Sequence, residues 1–225
     1  MPLPFAGNPI GKPFIELQSI DSTNKYAMGM VHGDHLPDGQ DEPQHGMAFF
    51  AHEQTAGKGQ RGKNWMSEKD SNIALSILLN PLPLSIPDQF KLSVCIAVSA
   101  RDLFSKYAGD ETKIKWPNDI YWRDRKAGGI LIENLVQCRQ SAMGSRWLSG
   151  WQWAIAGIGI NINQTVFPAD LSNPVSLKQI TGKHFEPIGL AKELCSIIEK
   201  NYQSLIGEDF QVLFNKYQTQ LYKKD

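Results

Sequence analysis

A chain of 225 residues is long enough to bury one substantial core, which sets the expectation at one domain or at most two. Its 23 Lys and Arg balance its 23 Asp and Glu, so the formal net charge is zero at pH 7. That balance offers a nucleic acid no bulk attraction, and any cationic site has to be local.

The N-terminal "MPLPFAGNPIGKPF" has no charged n-region and no apolar run of signal length, and no segment reaches the ~20 apolar residues that cross a bilayer. Phe14 to Leu17 is a short strand candidate. It runs into "SIDSTNKYAMGMVHG", where Asp21 or Ser22 can cap a helix that ends near Gly33. Residues 33–46 form a polar loop rich in Gly and Pro. Its neighbourhood holds His32, His35 and His45, read as solvated because neither a zinc spacing nor a supporting element accompanies them. "MAFFA" (47–51) is a buried strand leading into a glycine loop, and "NIALSILL" (72–79) is the next strand. Pro87 opens a helix through about Tyr107, with Phe90, Val94, Ala97, Val98 and Phe104 near helical spacing and Gly109 as its stop. "KIKW", "IYW", "GGILIENLV" and "WAIAGIGINI" follow as strands, with "RQSAMGSRW" (139–147) as a hairpin tip. Helices at about 187–205 and 208–222 finish the chain.

That order predicts an α+β domain with a mixed β-sheet flanked by helices, without regular βαβ alternation. Cys95, Cys138 and Cys195 are far apart and lack a C-x-x-C spacing, which reads as buried reduced thiols in a cytoplasmic protein.

The glycine loop "EQTAGKGQRGKNW" (53–65) matches two phosphate-loop patterns, Gly57-x-Gly59-x-x-Gly62 and Gly57-x4-Gly62-Lys63. Both standard forms lead from a strand into a helix whose N-terminus completes the anion site. Here "KNWMSEKDSN" has no apolar periodicity and a strand follows, while Asn64 replaces the hydroxyl a magnesium site needs. Neither standard motif fits. The loop's chemistry remains: three glycines admit a close ligand, and Lys58, Arg61 and Lys63 repel one another with no acid between Gln54 and Ser67. Such a loop is expected to stay mobile until an anion neutralises it. Composition alone leaves it equally a solvated hairpin tip.

"KIKWPNDIYWRDRKAGGIL" (113–131) supplies a second constellation. It reads as a strand carrying Lys115 and Trp116, Pro117 holding Trp116 extended, and a turn at Asn118-Asp119. Asp119 is a lone carboxylate among cations, either a salt-bridged turn residue or a magnesium ligand. Lys126 precedes Gly128-Gly129 at the mouth of an apolar strand, a place suited to a carboxylate or phosphate.

With "DSTN" and "GIGININ", these segments resemble in order and separation the motifs of biotin protein ligases, over nearly the whole chain from about Phe14. The pair "KWPND" and "RKAGGIL" carries the specificity of the match. The resemblance implies the class II aminoacyl-tRNA synthetase-like fold of the biotin–lipoate ligase catalytic domain. It also implies two half-reactions: biotin's carboxylate attacks the α-phosphate of ATP, with Mg²⁺, and a lysine of a biotin carboxyl carrier domain then takes the biotinyl group.

By the same resemblance, Ser22, Thr23, Asn24, Gln54, Gly59, Gln60, Gly128 and Gly129 contact biotin or its adenylate, and Trp65 packs the loop base against the ligand. Lys58, Arg61, Lys63, Lys115, Asn118 and Asn161 meet the nucleotide, and Asp119 meets the metal. Lys58, Lys115 and Lys126 are the catalytic cations, Lys58 and Lys126 also touching biotin. The family further suggests a homodimer formed through the sheet.

Many members carry arginines where this loop has Lys58, Gln60 and Lys63, and lysine lacks the bidentate fork, so faster escape of the adenylate is expected here. Only about a dozen residues precede the first strand, so neither a DNA-binding helix-turn-helix nor repressor activity is expected. The small C-terminal β-barrel common in bacterial members is expected to be absent or truncated, since the sequence given stops right after a helix. A lipoate ligase of the same chemistry and a binder without transfer activity are the competing readings.

Overall fold

Seven strands in one mixed sheet, with helices on both faces, organise the chain in a computed structural model that describes residues 8–33, 42–140, 147–169, 171, 173–207 and 209–223. In chain order the elements are β1 (Phe14–Leu17), α1 (Thr23–His32), β2 (Ala48–Ala51), β3 (Asn72–Leu79), α2 (Gln89–Ala108), β4 (Thr112–Lys115), β5 (Asp119–Trp122), β6 (Arg125–Gln140), β7 (Trp147–Asn161), α3 (Leu177–Thr181), α4 (Pro187–Ile206) and α5 (Phe210–Thr219). The sheet order is β1-β2-β3-β7-β6-β5-β4; β1 and β2 run parallel, and the other neighbours are antiparallel. The expected α+β class holds.

Period-two alternation sorts the strands between two faces. Ile73, Leu75, Ile77 and Leu79 of β3, with Ala154, Ala156, Ile158 and Ile160 of β7, enter the larger core under α2, α4 and α5. Each Ile or Leu fully buried there contributes roughly 1.5–3 kcal/mol. On the opposite face a smaller cluster joins Ala27 and Met30 of α1 to Phe49, Leu78 and Ile155. It covers one end of that face only, which leaves the middle of the sheet free for a site.

Local signals place the helix ends. Gly33 closes α1 at φ 83°, in the left-handed region where a side chain is strained. Before α2, a 3₁₀ turn at Ile86–Asp88 carries the capping box of Ser85 and Asp88, so the α-helix starts at Gln89, two residues beyond Pro87. The short α3 was not anticipated, although Ser176 and Gln179 form a capping box and Gly182 stops it at φ 72°.

Three expectations need correction. Trp116 is not on a strand: β4 ends at Lys115, Trp116 to Asn118 form the turn with a cis Trp116–Pro117 bond, and Asp119 opens β5 opposite Lys115. Gly128 and Gly129 do not stand at a strand mouth, because β6 starts at Arg125 and both glycines are paired on two sides, with β5 and β7. His45 is not solvated. Its Nδ1 accepts from the Asn80 amide at 3.1 Å, its ring lies 5.2 Å from that of Tyr202, and burial pulls its pKa below the usual value. His35 and the hairpin tip at 141–146 lie outside the described residues, although β6 and β7 pair as far as Gln140 and Trp147.

Candidate active site

The floor of the site follows from the alternation "GIGIN" in β7. Ile158 and Ile160 enter the larger core, so Gly157, Gly159 and Asn161 face the other way. The two glycines make room for side chains that lie on the sheet. A Cβ on Gly157 would sit 2.2 Å from Asn24 Oδ1, and one on Gly159 would sit 2.5 Å from the Trp65 ring.

Asn24 and Thr23 open α1 and are buried in a hydrogen-bonded cluster of uncharged side chains, backed by the Glu133 carboxylate. The Thr23 amide donates to Gln54 Oε1 at 2.8 Å, and its hydroxyl lies 3.1 Å from the same oxygen. Ser76 Oγ is 2.6 Å from Asn24 Oδ1 and 2.7 Å from Thr23 Oγ1, and Asn24 Nδ2 donates to Glu133 Oε2 at 2.8 Å. Ser22 lines the cavity from the N-cap position of α1, and its side chain makes no capping hydrogen bond. This end of the site offers fixed dipoles and suits a neutral polar group.

The glycine loop forms the roof. Gly59 N donates to Lys63 O at 2.6 Å and Trp65 N to Gly57 O at 2.8 Å, closing a small hairpin. Arg61 (φ 57°) and Gly62 (φ 74°) make its left-handed tip. Gly57 is required by close approach, since a Cβ there would meet Trp65 O at 2.5 Å. Lys58, Arg61 and Lys63 are exposed and enter no ion pair among the described residues. The Trp65 indole N–H is buried without an acceptor there, an orphan donor in a cavity-lining residue.

A bulge in β6 aims the cations. Asp119 faces Gly129 and Ile120 faces Gly128, but Tyr121 faces Lys126, so Ala127 is the extra residue. Ala127 is buried in the larger core, and the shift returns Lys126 to the face that carries Asp119 and Gly129. Lys126 Nζ donates to Asp119 Oδ1 at 2.7 Å. Its backbone is clamped on the far side, N to Asn173 O at 2.9 Å and O from Val175 N at 2.8 Å. Across the turn, Lys115 Nζ donates to the Tyr121 hydroxyl at 3.2 Å and lies 4.7 Å from the ring centroid. That hydrogen bond is the main reason its pKa stands above the usual lysine value.

One cavity of about 810 Å³ joins these groups, within the range of small-molecule sites. Every predicted site residue lines it except Gly128. Gly128 points to the other side of the strand, where a Cβ would meet Gly159 O at 2.7 Å; it is a packing glycine. Asn118 and Asn161 line the cavity with their amide nitrogens already engaged, donating to Ile130 O at 2.8 Å and Val175 O at 3.1 Å.

Sequence reasoning missed Ser76, Tyr121, Glu133, Gly157 and Gly159. The signals existed, as one Ser inside "NIALSILL", one acid inside "GGILIENLV" and glycines on alternate positions of β7.

Among the described residues the cavity is lined by no His and no Cys, and Asp119 is the single carboxylate. Among the described residues no three His, Cys, Asp or Glu cluster as a metal cage. One carboxylate fits Mg²⁺ only in the manner of nucleotide sites, where phosphate oxygens and water supply the other ligands. The arrangement can hold a neutral polar ring at one end, a carboxylate at Lys126 and polyphosphate beneath the loop.

The biotin/lipoate A/B protein ligase family matches residues 17–145. The bifunctional ligase/repressor BirA of Bacillus spizizenii is 31% identical over 205 residues, covering 89% of this chain and 57% of its own length. BirA of Escherichia coli is 35% identical over 117 residues, 52% of this chain and 33% of its own length. The biotin–[acetyl-CoA-carboxylase] ligase of Paracoccus denitrificans is 29% identical over 76% of this chain and 65% of its own length. The chain spans about half the length of the first of these curated relatives. The biotin protein ligase of Aquifex aeolicus in complex with biotin and ATP superposes with a TM-score of 0.72 at 24% identity, over 92% of this chain and 77% of that one. That of Leishmania major in complex with biotin gives 0.69 at 21% identity, over 94% and 82%. The mixed sheet and its helices are thus the biotin protein ligase catalytic fold.

Proposed function

The chain belongs to the biotin/lipoate A/B protein ligase family, and from that premise we propose that it is an ATP-dependent biotin ligase acting on carrier proteins. The observation that carries the reading is the polarity of one cavity: neutral hydrogen-bonding groups at Thr23, Asn24 and Gln54, and ammonium groups at Lys126, Lys115 and Lys58. Biotin has the same polarity, with a neutral ureido ring at one end and a carboxylate at the other.

In the first step a biotin carboxylate oxygen bonds to the α-phosphorus of ATP, the bond to the bridging β-oxygen breaks, and pyrophosphate leaves. Lys126 orients the carboxylate, with Asp119 holding its ammonium. Lys58, Arg61, Lys63 and Lys115 neutralise phosphate charge and so favour a transition state in which that charge shifts. Magnesium bound with the nucleotide, beside Asp119, would add charge neutralisation. No protein nucleophile is needed, which agrees with a cavity lined, among the described residues, by no His and no Cys.

In the second step a carrier lysine amine bonds to the acyl carbon, the bond to the phosphate oxygen breaks, AMP leaves and the amine proton is lost to solvent. A roof over the anhydride protects it from water in the meantime. The acceptor is a carrier domain of a biotin-dependent carboxylase, the described chain is one catalytic domain, and a homodimer through the sheet is the assembly. We place the activity in the cytoplasm; no helix among the described residues is long and apolar enough to cross a membrane.

Incubation with ATP, Mg²⁺ and labelled biotin should yield biotinyl-AMP and, after a carrier domain is added, label on its lysine. Activation of lipoate in preference to biotin would move the chain to the other branch of the family. Biotin binding without adenylate would make it a binder.

A further inference from the structure

Strand β4 is the last strand on its side of the sheet, and an edge strand exposes unpaired backbone groups. The chain covers this edge with its own tail. Beyond α5, Ile114 N donates to Gln220 O at 2.8 Å and Tyr222 N donates to Ile114 O at 2.8 Å, so Leu221 runs parallel to Ile114. Ile114 is fully buried and adjoins Lys115, so this pairing fixes the backbone from which Lys115 leaves the sheet.

The side chains extend the same connection. The Tyr222 ring lies 5.2 Å from the Tyr121 ring, at 38°. Tyr121 lines the cavity and holds Lys115 twice, through its hydroxyl at 3.2 Å and through its ring face at 4.7 Å. A lysine is a point charge on a flexible four-carbon stem, and an exposed one samples many rotamers. Here one aromatic ring restricts those rotamers, and a second ring from the tail backs the first.

We propose that Tyr121 and Tyr222 are positioning residues for Lys115, and that the segment Gln220–Tyr222 is a strap that keeps this cation over the nucleotide end of the cavity. The inference rests on the reading of the cavity as a nucleotide-activating site. The raised pKa of Lys115 agrees with it, since Tyr121 is the main cause and Tyr222 a lesser one.

The test compares Tyr121→Phe, Tyr121→Leu, Tyr222→Ala and Tyr222→Phe in the full chain, with two readouts. Competitive acylation of lysines, read by mass spectrometry, reports how firmly Lys115 is held whether or not the chain is an enzyme. Its reactivity should rise in Tyr121→Leu and Tyr222→Ala and return toward wild type in Tyr222→Phe, which restores the ring. Adenylate formation reports the consequence. KM for ATP should rise about 3- to 10-fold in Tyr121→Leu and less in Tyr121→Phe, which keeps the ring, while biotin affinity stays unchanged. Unchanged Lys115 reactivity in Tyr121→Leu overturns the contact. Altered reactivity with unchanged KM for ATP overturns the positioning role, and ATP and biotin constants moving together reduce the tyrosines to general support. A wild-type chain that labels as expected but makes no adenylate overturns the proposed function, and the positioning role with it, while leaving the contact standing.

Discussion

Gly157→Ala is the most direct perturbation of the site floor. The added methyl would lie 2.2 Å from Asn24 Oδ1, 2.8 Å from Cγ and 2.9 Å from Nδ2, where ordinary contact needs about 3.5 Å. Asn24 cannot yield freely, because Ser76 contacts its oxygen at 2.6 Å and its nitrogen donates to Glu133 at 2.8 Å. A displacement of about 1 Å breaks both bonds in a buried setting, and with the overpacking strain the cost is about 2–4 kcal/mol of stability. Urea unfolding measures that loss, and calorimetry should show biotin affinity falling at least about tenfold, the equivalent of ~1.4 kcal/mol. The decisive comparison is a double-mutant cycle. In an Asn24→Ala background the clash is gone, so Gly157→Ala should cost far less. Equal costs in the two backgrounds would refute the reasoning and leave Gly157 a matter of strand propensity alone.

Lys126→Ala should lower adenylate formation by about a hundredfold or more while circular dichroism reports an intact fold; a near wild-type rate would remove Lys126 from the site. Asp119→Asn should raise the magnesium concentration needed for half-maximal activity, and an unchanged requirement would leave Asp119 only its partnership with Lys126. Gln60→Arg should slow dissociation of the adenylate, measured by chase, because a bidentate donor replaces an amide in the cavity wall. His52 carries a pH dependence. Its ring bridges Glu16 on β1 at 2.6 Å and Asp70 before β3 at 2.7 Å, against the Phe50 ring, and the Glu16 hydrogen bond is the main cause of its raised pKa. The protonated form is favoured by folding, so this stabilisation is complete below the unfolded value near 6.5 and fades as pH rises through the higher folded value. Melting temperature should therefore decline across that window, with a shallower decline in His52→Gln.

Much of the site was legible because its chemistry comes in local runs. The loop at 53–65, the turn at 115–119 and Lys126 each announce charge or backbone freedom within a few residues, and all of them meet in the cavity. What escaped depends on partners distant in the chain. Ser76 is a lone hydroxyl in an apolar strand until Asn24, 52 positions earlier, is brought against it. Gly128 and Gly129 are indistinguishable as letters, and only the bulge at Ala127 decides which of them faces the cavity. Tyr222 belongs to the last few residues, with no pattern to connect it to Lys115.

By itself, then, the amino-acid order determined the class of fold, the strands and main helices, and the stock of cations for the candidate chemistry. Hydrophobic period, caps and glycine spacing act over a few residues and are readable there. Only tertiary structure decided strand register, the burial of His45, the pairing of Lys126 with Asp119 and the tail laid along β4. A one-residue shift in a pleated sheet exchanges its two faces, and that shift is set by long-range packing.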